Sequence, residues 1–417
     1  MPTIIDIRAR EVFDSRADIT LEVEVVLDCG KRGRSIIPTG CSKGKYEALE
    51  VRDNDPRRFN GQGVLRAIDI VHTLIKPQLC GMSSYAQEEI DRVLISLDGT
   101  PNKSRLGANA ILGVSLAVAN AAAAHRNLSL CDYVSRGREQ FIPQPIFSML
   151  SGGMHGDGNC DFQDYQVIAL KAPHLKAALQ VGKNVHMALK SLLTARGIST
   201  GVSGTGGYLP PLSSNEQGLE LLMEAIDKAG YEAGIDVGLS MDIAAEMFFK
   251  DGQYHLAAEG RALTTAAFID YLVSLCERYP IILMEDPLGE DDSEGWIALT
   301  QRLSSKIELV GDDLFTTNLA RFKQGIAMKM ANSILVKPNQ VGTLSETVRL
   351  VAAAKEAGYN IVFSRRSGET EDTSIADLAV ALNGTKVKFG SLARTEAMAK
   401  YNQLLRLQDA IANTQIN

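Results

Sequence analysis

The sequence predicts an α/β protein in two parts, a smaller α+β domain followed by a barrel of repeated strand–helix units. Its 417 residues suit roughly two to three domains. Near the amino end, apolar and polar residues alternate with a period of two, which predicts antiparallel strands. In the second half, short apolar runs each end at a charged residue and are separated by segments of helix length, which predicts serial β/α units.

The amino-terminal part begins with strands and continues with helices. Alternating runs over residues 3–27, broken at residues 14–18, predict an antiparallel hairpin or meander. Helical patterns follow around residues 64–79, 85–97 and 106–126. Charge and proline cluster at residues 136–145, which we interpret as a domain boundary. The predicted domains are therefore residues 1–137 and 143–417.

The apolar runs of the second half end at charged residues in a regular series. Their ends are, in order, Asp242, Glu285, Asp312, Lys337 and the Arg365-Arg366 pair, and a last strand contains Lys388. After Glu285 the steps are 22 to 29 residues, the length of about one strand, one helix and two loops. An open, doubly wound sheet would show the same alternation. We favour a barrel because it gathers the carboxyl ends of its strands at one mouth, where these charges would meet.

The composition excludes several classes of protein. With 43 Lys+Arg against 50 Asp+Glu, the net charge of −7 argues against nucleic acid or an anionic membrane as a bulk partner. The first ten residues lack the apolar core of a signal peptide, and the most apolar stretch, residues 106–124, is interrupted by polar residues and predicts a buried helix. Six cysteines at least 12 residues apart predict neither a zinc site nor a disulfide framework. We expect a soluble, cytoplasmic protein.

Three carboxylates at successive strand ends suggest a metal site. Asp242, Glu285 and Asp312 would offer hard oxygen ligands with no His or Cys nearby, a set that suits Mg²⁺. Each could instead be a solvated loop acid, but three in register after apolar strands favour a shared site. Lys337 follows on the next strand. It could be a base whose pKa is lowered by neighbouring cations, or it could simply pair with a carboxylate.

Further cations point to an acidic substrate. Arg366, Ser367 and Lys388 supply donors suited to phosphate and carboxylate oxygens. Together with the predicted Mg²⁺ and Lys337, they indicate abstraction of a proton next to a carboxylate. A Lys or His base acting beside one or two Mg²⁺ ions is an established way for an enzyme to form and stabilise an enediolate.

The sequence resembles the enolase family over nearly its whole length. The matching strings include Asp14-Ser15-Arg16, ISLDGT at 95–100, LGANAILGVSLA at 106–117, Glu285-Asp286-Pro287, Asp312-Asp313-Leu314, SRRSGETEDT at 364–373 and NQLLR at 402–406. The resemblance implies a small α+β domain before a modified eight-stranded, TIM-type α/β barrel, assembled as a homodimer or larger. It also implies Asp242, Glu285 and Asp312 as ligands of a first Mg²⁺.

The same resemblance implies roles for the other matching residues. Lys337 looks like the base that takes the C2 proton of 2-phosphoglycerate. Substrate-binding positions are matched by His155, Gln163, Arg366, Ser367 and Lys388, and Ser42 matches a loop serine that helps to bind a second Mg²⁺.

The sequence departs from the family at the positions that assist departure of the C3 hydroxyl of the substrate. Enolases read Gly-Asp-Glu-Gly-Gly where this chain has Thr205 at the Glu position, and a hydroxyl is no general acid near pH 7. Where the family has a Gln-Glu pair, this chain has Gln163-Asp164. Where the family reads Ser-His-Arg-Ser, this chain has Arg365 in place of the His, and Lys43 stands where the family has Thr. The half of the site that makes the enolate is intact, and the half that expels hydroxide is rebuilt.

Three interpretations follow. The first is a specialised paralogue acting on another phosphorylated or phosphonylated acid, for example one forming carboxyphosphonoenolpyruvate in phosphonate biosynthesis. The second is a glycolytic enolase in which Asp164 or a water replaces the lost acid. The third is a non-catalytic binding protein, which is disfavoured because a decaying site should not lose only one half of its chemistry.

Overall fold

The protein is described by a computed structural model that covers residues 1–40, 44–156 and 158–416. Its amino-terminal part contains an antiparallel meander in the order β1-β2-β3. The strands are β1 (Ile4–Phe13), β2 (Ile19–Leu27) and β3 (Arg32–Ile36). The helices are α1 (Leu65–Ile70), α2 (Lys76–Leu79), α3 (Gln87–Asp98), α4 (Ala108–His125) and α5 (Leu130–Ser135), with a π-helical turn over Val71–Ile75 between the first two.

The meander packs against α4, a helix whose surface is apolar on almost every side. Contact is close at Gly33, where an added Cβ would lie 2.0 Å from the backbone nitrogen of Ala121, so only glycine fits. Among the described residues α4 is the one helix long and apolar enough to cross a membrane, and 83% of that window is buried inside the protein. The prediction of a buried helix here is therefore confirmed.

The carboxyl-terminal part is an eight-stranded closed barrel in the order β10-β11-β12-β13-β14-β4-β5-β6, with a small three-stranded sheet outside it. The barrel strands are β4 (Gln144–Ser151), β5 (Asp164–Ala169), β6 (Val237–Asp242), β10 (Ile281–Glu285), β11 (Glu308–Gly311), β12 (Ser333–Val336), β13 (Asn360–Ser364) and β14 (Lys386–Lys388). The small sheet contains β7 (Phe249–Lys250), β8 (Gln253–Leu256) and β9 (Arg261–Thr264).

Helices follow most of the barrel strands and surround them. They are α6 (Leu175–Ala195), α7 (Asn215–Lys228), α8 (Thr265–Arg278), α9 (Ser293–Leu303), α10 (Leu319–Met328), α11 (Leu344–Glu356), α12 (Ser374–Ala381) and α13 (Thr395–Ile416). The predicted α/β barrel after a smaller α+β part is confirmed. The alternative of an open sheet is wrong, because β6 pairs with β10 and closes the ring.

One strand runs against the others. β5 is antiparallel to both β4 and β6, whereas the remaining neighbours are parallel. The amino end of β5 therefore lies at the mouth where the other strands have their carboxyl ends. Asp164, the first residue of β5, is the register partner of Asp242 at the end of β6 and of Ser151 at the end of β4.

The barrel interior is filled one layer below this mouth. Six buried apolar side chains from six strands form a cluster of their own, namely Ile146, Ile168, Leu283, Val310, Leu335 and Val362. Leu283, Val310 and Leu335 each precede a predicted site residue by two positions. Because side chains two apart in a strand share a face, this layer directs Glu285, Asp312 and Lys337 inward above it.

Candidate active site

The predicted site residues meet in a cavity at the barrel mouth. It encloses roughly 650 Å³, part of it open to solvent. The lining includes the predicted residues His155, Gln163, Asp164, Thr205, Asp242, Asp312, Lys337, Arg365, Arg366, Ser367 and Lys388. Glu285 does not line the cavity but contacts Lys388 at its wall. The predicted second-metal residue Ser42 and the neighbouring Lys43 lie outside the described residues.

Lys388 lies between two of the predicted metal ligands. Its Nζ donates to Asp242 Oδ2 at 2.6 Å and to Glu285 Oε2 at 2.5 Å, and Gln163 Nε2 also donates to Asp242 at 3.1 Å. Burial, with the nearby negative charge of Asp242, raises the pKa of Glu285 to about 8. The two carboxylates raise the pKa of Lys388 although burial opposes them. With its raised pKa Glu285 holds a proton near neutral pH, so Lys388 compensates the charge of Asp242, and ionisation of Glu285 as well would call for further positive charge.

The third predicted ligand pairs with the predicted base. Lys337 Nζ donates to Asp312 Oδ2, and Gln340 Nε2 donates to Asp312 Oδ1 at 2.9 Å. Burial alone would raise the pKa of Asp312, but Lys337 outweighs it and the pKa is lowered. Burial would likewise lower the pKa of Lys337, yet Asp312 reverses the shift and the pKa is raised. The lowered pKa of Lys337 was expected in the presence of Mg²⁺, and it stays a prediction, because the raised pKa belongs to the pair of Lys337 with Asp312 without a cation.

A second acidic group lies beside Asp312. Carboxylate oxygens of Asp286, Asp312 and Asp313 lie within 4.8 Å of one another. Both oxygens of Asp286, however, accept backbone N–H bonds, from Asp312 at 2.9 Å and from Asp313 at 2.8 Å. Asp286 thus fixes the turn that presents Asp312. The strand-end pattern missed Asp286 and Asp313, because each follows the charged residue that the pattern marks.

Arg366 joins the amino-terminal part of the chain to the barrel mouth. Its Nη1 donates to Glu47 Oε2 at 2.8 Å and to Asn339 Oδ1 at 3.2 Å, and the guanidinium is buried. An added Cβ at Gly40 would lie 1.8 Å from Nη2 of Arg366, so any other residue there would displace the buried guanidinium. Sequence reasoning missed Glu47, which lies in an irregular segment where no strand pattern marks it.

The rebuilt end of the cavity is a cluster of hydroxyls around one carboxylate. Asp164 accepts from Ser151 Oγ at 2.8 Å and from Ser148 Oγ at 3.1 Å, and Thr205 Oγ1 lies 3.4 Å away. Burial would raise the pKa of Asp164, but His155, 3.9 Å away, and Lys388 outweigh it, so the pKa is lowered. Asp164 is therefore a carboxylate in this arrangement. The serines of β4 were missed because the sequence pattern did not identify that strand.

Three buried polar atoms that belong to the cavity lining have no hydrogen-bond partner in the described part of the chain. They are Nδ1 of His155, Oε1 of Gln163 and Nη1 of Arg365. The other terminal nitrogen of Arg365 donates to the carbonyl oxygen of Gly204 at 3.0 Å, which holds the guanidinium beside the Thr205 loop. Nδ1 of His155 still lies 3.9 Å from Asp164, and Nη1 of Arg365 lies 3.7 Å from Glu396. Buried polar groups are normally satisfied, so Oε1 of Gln163 is the atom of the three that a polar ligand would satisfy.

The donor set fits a divalent cation. Asp242, Glu285 and Asp312 present carboxylate oxygens from three neighbouring strands, and the raised pKa of Glu285 reflects buried negative charge that a cation would relieve. Oxygen-only ligands of this kind suit Mg²⁺. Asp242 and Glu285 do not belong to the group of mutually close carboxylates, which is Asp286, Asp312 and Asp313. The assignment of Asp242, Glu285 and Asp312 as the metal ligands therefore stays a prediction.

Comparison with protein families covers nearly the whole chain. Residues 4–134 match the N-terminal domain of enolase, and residues 139–416 match the enolase C-terminal TIM barrel domain. Domains of this family are those of a lyase-type enzyme, and family members typically bind Mg²⁺. The two matches agree with the small α+β part and the closed barrel described above. The chain belongs to the enolase family.

Proposed function

We propose that this protein is a Mg²⁺-dependent lyase that removes the proton next to the carboxylate of a small phosphorylated or phosphonylated acid. The product would be of the enolpyruvate type. In this proposal the protein is a specialised paralogue, for example one forming carboxyphosphonoenolpyruvate in phosphonate biosynthesis. It acts as a homodimer or larger in the cytoplasm, with a second Mg²⁺ bound together with the substrate near Ser42.

The observation that carries the proposal is the contrast between the two ends of the cavity. On one side Lys337, with Asp242 and Asp312 at the cavity and Glu285 behind Lys388, would supply the base and the metal ligands that proton abstraction needs. At the other end Thr205 lies among serines around Asp164, where the family has a glutamate. A protein that had lost its function would have no reason to keep one end intact and to rebuild the other with buried, mutually bonded groups.

Proton abstraction would be performed by Lys337. Its amine must first be neutral, and the pair with Asp312 opposes this. Mg²⁺ bound by Asp242, Glu285 and Asp312 would supply positive charge beside the substrate carboxylate and draw the charge of Asp312 away from Lys337. Lys388 and Arg366 would hold the acidic groups of the substrate, so that its C2–H bond faces Lys337.

The part of the cavity that contains Thr205 and the serines around Asp164 would not favour expulsion of hydroxide from the substrate. Thr205 and the serines are too weakly acidic to protonate a leaving hydroxyl near neutral pH. Asp164, whose pKa is lowered against the effect of burial by His155, Lys388 and the Ser151 donor, lacks the proton that a general acid must give. These groups therefore suit a substrate whose C3 leaving group departs with its electron pair without being protonated by the protein, and they disfavour the glycolytic reaction, in which hydroxide must leave.

The test is deuterium exchange at C2 in D₂O with Mg²⁺, followed by NMR over 2-phosphoglycerate and phosphonate-bearing carboxylic acids. Exchange with a phosphonate acid, without rapid dehydration of 2-phosphoglycerate, supports the specialised paralogue. Rapid dehydration of 2-phosphoglycerate would instead identify a glycolytic enolase. No exchange with any acid of the panel, in a protein that is folded and binds Mg²⁺, would identify a non-catalytic binding protein.

A further inference from the structure

A second cavity lies between the amino-terminal part and the barrel, away from the mouth. It encloses roughly 740 Å³, part of it open to solvent. Its walls come from α3, the end of α5 and the start of α11, and its apolar lining includes Tyr133, Val134, Leu344 and Val348. None of the predicted site residues lines it.

The cavity has a buried acceptor without a donor. Gln87 lines it and is only 7% exposed. Its Nε2 donates to Asp91 Oδ1 at 3.1 Å and to the carbonyl oxygen of Ser115 at 3.1 Å. Because both partners are acceptors, the amide cannot be turned round, and Oε1 is fixed as the group on the other side. Within the described ranges Oε1 has no hydrogen-bond partner, which leaves it available to an N–H or O–H group of a ligand.

The rim of the cavity is positively charged. Arg136, Arg138 and Arg349 line it together with a single acid, Glu88. Glu88 lies 4.0 Å from Arg136, and both side chains are mostly exposed. Arg138 is held in place because Nε and Nη2 donate to the carbonyl oxygens of residues 135 and 134. Arg349 forms no ion pair or hydrogen bond with any residue that the structure describes. Two of the three guanidinium groups are therefore not neutralised by an acid of the described chain.

We infer that this cavity binds a small organic anion with an apolar body of about the size of two aromatic rings and one N–H or O–H donor. The apolar walls would contact the body of the ligand, and the arginine rim would bind its anionic group. Gln87 Oε1 would accept a hydrogen bond from its N–H or O–H group. The inference does not depend on the proposed reaction, because it uses different residues and a different cavity.

The experiment uses 8-anilinonaphthalene-1-sulfonate, which combines an aromatic body, an N–H group and a negative charge. We expect saturable fluorescence enhancement with one site per chain that 2-phosphoglycerate does not displace. N-phenyl-1-naphthylamine, the same body without the sulfonate, should bind about threefold or more weakly, and added salt should weaken only the anionic probe.

Two variants and one control locate the site. Val348→Trp fills the cavity and should weaken binding of the sulfonate probe by at least about tenfold. Arg349→Met keeps the length of the side chain without its charge and should weaken it by about threefold. Arg57→Met makes the same change in net charge at an exposed position outside the cavity lining, and should bind as the parent does. Non-saturable binding by the parent, or parental affinity in both Val348→Trp and Arg349→Met, would overturn the inference.

Discussion

Thr205 Oγ1 lies 3.4 Å from Asp164 Oδ1, with Ser151 within hydrogen-bond distance of both. This relationship depends on the reversed strand β5, which brings Asp164 to the barrel mouth at its amino end. A carboxylate that accepts from hydroxyls is stabilised in its ionised form. The Thr205 hydroxyl has closer partners in Ser203 at 2.7 Å and Ser151 at 2.9 Å. Ser151 in turn donates to the carboxylate, so Thr205 belongs to the hydroxyl cluster that surrounds the ionised Asp164.

The first prediction concerns the metal. Mg²⁺ at a hundredfold excess over its Kd should stabilise the parent by about 2.7 kcal/mol, because an ion that binds only the folded state raises the free energy of unfolding. Asp312→Asn should remove most of this gain. The measurement is thermal unfolding with and without Mg²⁺.

The matched control for the metal is Asp270→Asn. Asp270 is exposed on α8 and pairs with Arg302 at the surface, so the variant loses the same charge far from the mouth. Its response to Mg²⁺ should equal that of the parent. If Mg²⁺ did not change the melting temperature of the parent, this would contradict the assignment of these carboxylates as metal ligands.

The second prediction concerns the base. Lys337→Ala should lower C2 proton exchange by at least about 10²-fold, the usual contribution of a general base. It also leaves Asp312 buried without its cation, which should destabilise the protein without Mg²⁺ by roughly 3–5 kcal/mol. Mg²⁺ should restore much of that loss. Exchange is followed by NMR in D₂O, and stability by chemical denaturation.

Lys386→Ala provides a control with similar structural damage. Lys386 also pairs with a buried carboxylate, Glu308, but at the amino ends of β14 and β11, the opposite end of the barrel from the mouth. This variant should be destabilised and should still exchange the proton at nearly the parental rate when folded. Parental exchange in Lys337→Ala would show instead that Lys337 has only a structural role.

The third prediction concerns pH and stability. Burial raises the pKa of Asp377 on α12 from 3.8 to about 6, although Gln403 Nε2 donates to both of its oxygens. A raised pKa in the folded state means that the folded protein holds this proton more tightly than the unfolded chain. The resulting stabilisation is complete below about pH 4 and is lost as the pH rises through about 6.

Asp377→Asn should remove this pH dependence. At pH 7.5 the variant should be more stable than the parent, by an amount on the order of 1–3 kcal/mol, and the difference should shrink towards pH 4.5. The measurement is denaturant unfolding at several pH values. Asp409→Asn, on the exposed face of α13, makes the same charge change and should leave the pH profile unaltered. Equal stability of the parent and the Asp377 variant across this range would contradict the prediction.

The sequence predicted the barrel because five of its parallel strands are apolar and end in charge. That pattern located Asp242, Glu285, Asp312 and Lys337, whose positions follow from strand direction alone. It failed for β4 and β5, since β5 carries its charge at the amino end and β4 ends in a serine. Gln163 and Asp164 were identified only through family resemblance.

Contacts between distant segments could not be predicted from the sequence. The pair between Arg366 and Glu47 joins residues 319 positions apart, and nothing local in either segment marks it. The direction of the pKa shift of Lys337 was likewise decided by a specific partner, Asp312, rather than by residue types in the neighbourhood. Burial and partner choice are properties of the folded chain.

The last prediction addresses the rebuilt end of the cavity. The parent should dehydrate 2-phosphoglycerate at least about 10²-fold more slowly than a complete enolase, because one general acid is missing. Introducing Thr205→Glu with Asp164→Glu and Arg365→His should raise dehydration selectively. Formation of the enolpyruvate product is followed by absorbance, and C2 exchange is measured in parallel.

Thr205→Glu alone should give a smaller gain than the triple variant. The new carboxyl would lie beside Asp164, where two like charges in a buried place favour protonation of one of them. Arg365, however, is held against the loop by the carbonyl oxygen of Gly204 and would pair with the new group in its ionised form. Replacing Arg365 removes that partner and lets the glutamic acid keep its proton. Arg365→His alone is the control and should leave dehydration slow, whereas ordinary enolase turnover by the parent would contradict the whole assignment of this end of the site.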